Sequence, residues 1–274
     1  MPEAPELEVV KDFLVERAVG TTVVSAKVLK ATVLRPLAGD FSIDIVDRML
    51  EGVRRSGKFL VITLAGDRLL VVNPMLTGGF QWSVPSDRVF KRTCFTLSLS
   101  NGHELRYIDD KQMGRVYYVS PEQLDEIPQF TDLDPDVLNS EMTLVEFKER
   151  LRPFHGEIKG IITRGRVVSG IGNAYVDEIL WDAQIYPFRK KKELKDDDLQ
   201  RLLDSSKKVI IEATEEVRKV MGEEIHRKHR DFLKVHNRGG EPCPRCGNAI
   251  SQLTANQRIT SYCRKCQPGM LLRM

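Results

Sequence analysis

The sequence of 274 residues has no apolar run approaching the ~20 residues needed to cross a bilayer. It has no low-complexity tract and no evident internal repeat. No basic segment leads into an apolar one at the start, so no secretory signal is visible and a soluble, cytoplasmic protein is expected. Aromatic residues are sparse at 7%, with only two tryptophans, while 41% hydrophobic residues are enough for ordinary cores. The length suits two domains of common size. A net charge of +3 is too small to name a partner, but its distribution is uneven. From Val235 to Met274, six basic residues face one acid, Glu241, giving +5 and leaving about −2 elsewhere. A basic C-terminal module on a near-neutral body suits a polyanion such as nucleic acid.

Cysteine is scarce as well, and four of the five are paired in sequence. Cys243 and Cys246 form CPRC, Cys263 and Cys266 form CRKC, and sixteen residues separate the pairs. This spacing fits a tetrahedral zinc site, each pair gripping the ion through a tight turn with a hairpin between them. Disulfides are the poorer explanation in a reducing compartment. With four protein ligands no position is open for a catalytic water, so one structural zinc is expected. Cys94, in the alternating stretch RTCFTLSLS, reads as a buried core thiol.

The chain starts with MPEAPELEVV, and Leu7, Val10, Phe13 and Leu14 then recur at helical spacing up to a stop at Gly20. The stretches TTVVSAKVLKATVL, KFLVITLAGDRLLVVN, FTLSLSNGHELRYID and GRVYYV alternate apolar and polar residues around Ala-Gly-Asp and Asn-Gly turns. The expected fold is α+β in two domains. An antiparallel β-sandwich or barrel carrying the first helix spans 1–120, and an acidic, proline-containing linker spans 121–138. A helical domain spans 139–234, and a zinc-binding module spans 235–274. Helices are expected over Thr143–Leu151, with Thr143 and Glu146 spaced as a capping box, over Tyr175–Gln184, and over Asp196–Met221.

Five stretches in order resemble the formamidopyrimidine-DNA glycosylase / endonuclease VIII family of base-excision repair enzymes. They are PEAPELE, RRSGKFLVI, LRYIDDKQMGRVY, SGIGNAYVDEILWDAQIYP and RGGEPCPRCGNAI…NQRITSYCRKCQ, and they cover essentially the whole chain. The resemblance implies a β-sandwich, then a helix–two-turns–helix domain, then a zinc-finger β-hairpin. It implies a bifunctional DNA glycosylase/AP lyase acting as a monomer on double-stranded DNA with oxidised bases or abasic sites, nucleoid-associated in a bacterium.

By that resemblance Pro2, exposed once Met1 is removed, is the nucleophile. An α-amino group has a reference pKa of roughly 8, so much more of it is unprotonated near neutrality than of a lysine. A secondary amine also yields a charged iminium on attack at the sugar C1′. Glu3 is implied as general acid/base, Glu6 as its hydrogen-bonding or electrostatic support, and Lys58 as a DNA-backbone contact that helps catalysis. Glu8 reads as an exposed helix residue. Asn173, at a helix start behind Gly170 and Gly172, is implied to contact phosphate. Arg258 is implied to grip phosphates from a hairpin tip, and Lys159 is placed near a further DNA contact.

Leu76 and Met113 are the implied wedges that fill the gap left by an everted nucleotide, with Lys111 and Gln112 beside the opposite base. Core packing is the competing reading for Leu76. The better-known glycosylase branch has methionine at Leu76 and an arginine pair followed by phenylalanine at Lys111, Gln112 and Met113. Losing arginine's fork weakens the expectation of a cytosine preference opposite the lesion. The segment GEEIHRKHRDFLK is shorter than the loop that caps 8-oxoguanine in other members. Formamidopyrimidines, hydantoins or oxidised pyrimidines are therefore the expected substrates. The rival reading is a catalytically inactive zinc-containing DNA-binding protein of the same fold, and a more remote one is an RNA-binding zinc-ribbon protein.

Overall fold

The computed structural model describes residues 1–130, 135–138, 141–255 and 258–269. The chain divides into two compact units, Met1–Asp132 with Val217–His229, and Leu133–Glu216 with Arg230–Met274.

The first unit opens with α1 (Ala4–Arg17), which has a proline in its first turn, where a missing N–H costs nothing, and ends before the left-handed Gly20. There follow β1 (Val23–Val28), β2 (Leu34–Pro36), the single turn α2 (Phe41–Asp44), β3 (Leu50–Ser56), β4 (Phe59–Leu64) and β5 (Arg68–Asn73). The unit continues with β6 (Gly78–Ser83), β7 (Thr93–Leu99), β8 (Glu104–Asp109) and β9 (Arg115–Val119). Two sheets form the sandwich, ordered β1-β7-β8-β6 and β2-β9-β5-β4-β3. All pairs are antiparallel except β2 with β9, a three-residue parallel pairing. The alternating stretches fall on β4–β5, β7–β8 and β9 as expected, and Cys94 is fully buried in β7. Burial pushes its thiol up to about 11. Within the first sheet, Phe95 stacks on its cross-strand partner Tyr107 at 5.4 Å and Phe80 meets the same ring edge-on at 5.6 Å.

The second unit contains α3 (Leu144–Leu151), α4 (Ile158–Thr163), α5 (Asn173–Asp182) and α6 (Asp196–Met221), then the hairpin β10 (Ser251–Ala255) and β11 (Arg258–Tyr262). The Thr143 capping box forms in both directions, with the Glu146 N–H donating to Thr143 Oγ1 at 3.3 Å and the Thr143 N–H to Glu146 Oε2 at 2.8 Å. Helix α6 spans the stretch read from the sequence and starts with three aspartates, which suit the positive end of the helix dipole. Helix α4 was not expected. Two turns link it to α5, carrying Gly165 and Gly170 at φ +73° and +98°. The expected linker includes 131–134, which lie outside the described residues.

Candidate active site

Helix α1, strands β4, β5, β6 and β8 and the segment Ile225–Lys228 line the space at the N-terminus. Glu3 precedes α1 as its N-cap, and the Glu6 carboxylate accepts the Glu3 backbone N–H at 2.8 Å. That bond fixes the chain beside Pro2, and Pro2, Glu3 and Glu6 are all buried. The support expected of Glu6 thus takes a definite form, a bond to the backbone of Glu3. Pro2 lines a cavity with Pro74, Gly78, Gly79, Tyr107 and the segment Ile225–Lys228. About 20 Å³ there is open to the centre of a water molecule, room for about one water and far short of a nucleobase. The segment is tied down by Lys228, whose Nζ donates to the Leu76 carbonyl at 2.8 Å. Burial, followed by the Arg92 charge, holds the His226 imidazole of this segment below its ordinary value.

Lys58 sits in the two-residue turn between β3 and β4, after Gly57 at φ +57°, a backbone that favours glycine. Arg55 anchors this turn. Its Nη1 donates to the Gly57 carbonyl at 2.9 Å and its Nε to Glu8 Oε2 at 2.6 Å, with the Arg55 side chain only 1% exposed. Glu8 is therefore more than an exposed helix residue. It links α1 to the Lys58 turn through a buried arginine, and the period of α1 carried no signal of that partner.

Leu76 and Met113 are 41% and 45% exposed, which removes the core-packing reading of Leu76. Each follows a non-glycine residue in left-handed conformation, Met75 at φ +49° and Gln112 at +51°. Lys111 and Gln112 are also exposed, and Gln112 Oε1 accepts from Thr32 Oγ1 at 2.6 Å.

In the second unit, Lys159 and Asn173 converge on the finger strand. Lys159 Nζ donates to the Ile259 carbonyl and to Thr260 Oγ1, both at 2.8 Å, and pairs with Asp177 Oδ1 at 2.7 Å. Asn173 Nδ2 donates to the same carbonyl at 2.8 Å. Lys159 is 8% exposed, and its ammonium supports β11 from inside the fold. Arg258 begins β11, paired with Ala255, and is exposed. Asn256 and Gln257 between them lie outside the described residues.

Two acids of α5 that the sequence reading passed over complete this frame. Asp177 Oδ2 faces His236 Nδ1 at 2.7 Å and accepts the Ser261 N–H at 3.0 Å. Glu178 accepts the backbone N–H groups of Lys234, Val235 and His236 at 2.8 to 2.9 Å. Burial pushes Glu178 up, and those three donors work against it.

The four cysteine sulfurs lie within 4.8 Å of one another, with Cys243–Cys266 at 3.8 Å and Cys246–Cys263 at 3.5 Å. A tetrahedral ion with bonds of ~2.3 Å spaces its sulfurs about 3.8 Å apart, so the set fits one structural zinc. Trp181 Nε1 donates to Cys243 Sγ at 3.4 Å. Burial opposes ionisation there, yet this bond and neighbouring backbone N–H groups bring the Cys243 thiol down to about 6, favouring the thiolate a metal needs.

The family model for the formamidopyrimidine-DNA glycosylase N-terminal domain matches residues 1–116, that for its H2TH domain 133–224, and that for the zinc finger found in FPG and IleRS 240–269. The formamidopyrimidine-DNA glycosylase of Pelotomaculum thermopropionicum is 32% identical over 273 residues, spanning 97% of this chain and 99% of the relative. The chain belongs to the formamidopyrimidine-DNA glycosylase family. The family member from Enterococcus faecalis is 29% identical, with 97% of each chain covered. A solved complex of the LlFpg protein with a THF-DNA and an inhibitor superposes with TM-score 0.88 at 26% identity, covering 98% of this chain and all of that one. The Lactococcus lactis enzyme bound non-covalently to DNA containing an AP site gives 0.85 at 26% identity, covering 97% and 100%. The family assignment makes the chain a DNA repair glycosylase with a zinc finger. The two turns between α4 and α5 fall within its H2TH match.

Proposed function

We propose that the chain removes oxidised bases from duplex DNA and then nicks the strand, with Pro2 as nucleophile. The observation that carries this reading is the buried Pro2–Glu3 pair, held by the bond from the Glu3 N–H to the Glu6 carboxylate. Once Met1 is removed, the Pro2 secondary amine attacks C1′. The C1′–N bond to proline forms as the glycosidic bond breaks, and the departing base takes the electron pair of the glycosidic bond and a proton. The proline nitrogen then gives up its proton and its lone pair expels O4′, so that the C1′–O4′ bond breaks, O4′ is protonated and an iminium forms. The iminium acidifies C2′, whose proton leaves to a base as the bond from C3′ to its phosphate oxygen breaks. Glu3 is the proton shuttle of this scheme, protonating the opening sugar and accepting from C2′. Arg258 grips backbone phosphate and Asn173 contributes a phosphate contact at the start of α5. The DNA held by the Lactococcus lactis neighbour supports a duplex with an abasic or damaged nucleotide as the partner.

The reading of the preferred lesion rests on the short segment GEEIHRKHRDFLK, which lacks the length to fold over a purine as the 8-oxoguanine-capping loop does. Formamidopyrimidines, hydantoins and oxidised pyrimidines are the favoured substrates over 8-oxoguanine. Single-turnover assays on a lesion panel, reading base release and strand scission separately, test both parts. Scission without base release on all lesions would leave only the lyase. Fastest release of 8-oxoguanine opposite cytosine would overturn the lesion preference.

A further inference from the structure

Asp109 ends β8 and is completely buried, away from the chemistry of Pro2 and Glu3. Its carboxylate meets two turns at once. Oδ1 accepts from the Thr77 hydroxyl, in the turn that carries Leu76, and from the Lys111 N–H at 3.2 Å. Oδ2 accepts the Gly114 N–H at 2.7 Å, so the turn that carries Met113 is held at both ends. Thr77 Oγ1 also accepts the Lys111 N–H at 3.0 Å, joining the two turns directly.

Tyr107 stands two residues earlier on β8, on the same face of the strand. A Cβ on Gly78, after the first turn, or on Gly114, after the second, would collide with its hydroxyl oxygen. Both turns therefore rest on one phenol and one carboxylate of β8. Phe80 and Phe95 hold that phenol ring in turn. Exposed apolar side chains on left-handed turns need such anchoring. A wedge pressed into a base stack stays in place only if its backbone does not yield.

We propose that Asp109 is a positioning residue for nucleotide eversion, its carboxylate clamping the Leu76 and Met113 turns into a single rigid wedge. This rests on the reading of Leu76 and Met113 as wedge residues. The Asp109→Asn side chain offers one acceptor atom and a donor where the carboxylate offers two acceptors, so one of the three N–H or O–H groups meets a donor. Thr77→Val removes the bridging hydroxyl at nearly constant shape, and Thr77→Ser restores it.

The test measures 2-aminopurine fluorescence beside an abasic-site analogue in a duplex, which reports eversion with no chemistry, and cleavage of an abasic site in duplex and single-stranded oligonucleotides. Only the duplex needs a wedge. A lost hydrogen bond to a buried charge corresponds to about tenfold. Asp109→Asn and Thr77→Val are expected to lose about that much eversion and duplex cleavage, with single-strand cleavage within about twofold of wild type and Thr77→Ser recovering both. Equal losses on both substrates, or duplex values unchanged in Thr77→Val, overturn the proposal. If Asp109→Asn fails to fold, Thr77→Val decides. Leu76→Ala and Met113→Ala at wild-type eversion would instead sink the wedge reading, and this proposal with it.

Discussion

Lys159 and Asn173 share one acceptor, the carbonyl of Ile259, each at 2.8 Å. The residue next to that carbonyl is Arg258, so two side chains from different helices set the start of the finger strand β11. Lys159→Met and Asn173→Ala should each weaken binding to an abasic-site duplex by about tenfold, the scale of one hydrogen bond with a buried partner. Because they act on one atom, the double variant should lose less than the product of the two. Fluorescence anisotropy titrations at fixed salt measure all three.

Removing zinc should melt the hairpin and not the sandwich. The cysteines pack with Trp181, Val235 and Ile250 in one small cluster, and the Trp181 indole bonds directly to Cys243. In a Trp82→Phe background, the second of the two tryptophans reports on this cluster alone. Chelation, or Cys263→Ser, should shift its emission and lower DNA affinity by at least about tenfold, since metal binding is folding energy in such modules.

Glu8 supports the Lys58 turn through Arg55, and that pair is nearly closed to water on the arginine side. Glu8→Gln should cost about 2 kcal/mol of stability, below the full cost of breaking a buried pair because Glu8 is partly exposed. Urea unfolding should show a lower midpoint at an unchanged slope.

Acid should loosen the first unit at Asp44. Burial raises this carboxyl, but the Tyr118 hydroxyl at 2.6 Å, Arg48 at 2.8 Å and Arg68 at 2.9 Å outweigh it and leave it below its ordinary value. A depressed carboxyl contributes stability that is present above its unfolded value, near 4, and lost as pH falls through the folded value. Thermal midpoints of wild type should therefore drop across that acid window. Asp44→Asn should start lower and show a shallower drop there.

The sandwich, the capped α3, the full extent of α6 and the zinc cysteines were legible in the sequence because each has a local signature: alternation, a capping box, a helical period, a spacing. Helix α4 was not, since six residues with an internal glycine are too short to show a period. The parallel β2–β9 pair joins three-residue stretches some eighty positions apart, and no window sees it. Asp177 and Glu178 read as ordinary helix acids. Their partners are Lys159 on another helix, and backbone N–H groups and a histidine 56 to 84 positions onward, where the fold alone brings them. The internal partners of Lys159 and Glu8 were hidden in the same way, since both are charged residues paired with groups distant in sequence.

Reduction by borohydride on an abasic-site duplex tests the central claim most directly. With Met1 removed, the wild-type protein should be trapped as a covalent complex whose modified residue, located by peptide mass mapping, is Pro2. Glu3→Gln should lose base excision far more than DNA binding. No trapped species from the processed wild type, or equal trapping after Pro2→Gly and Glu3→Gln together, would contradict the assignment of the N-terminal proline as the nucleophile.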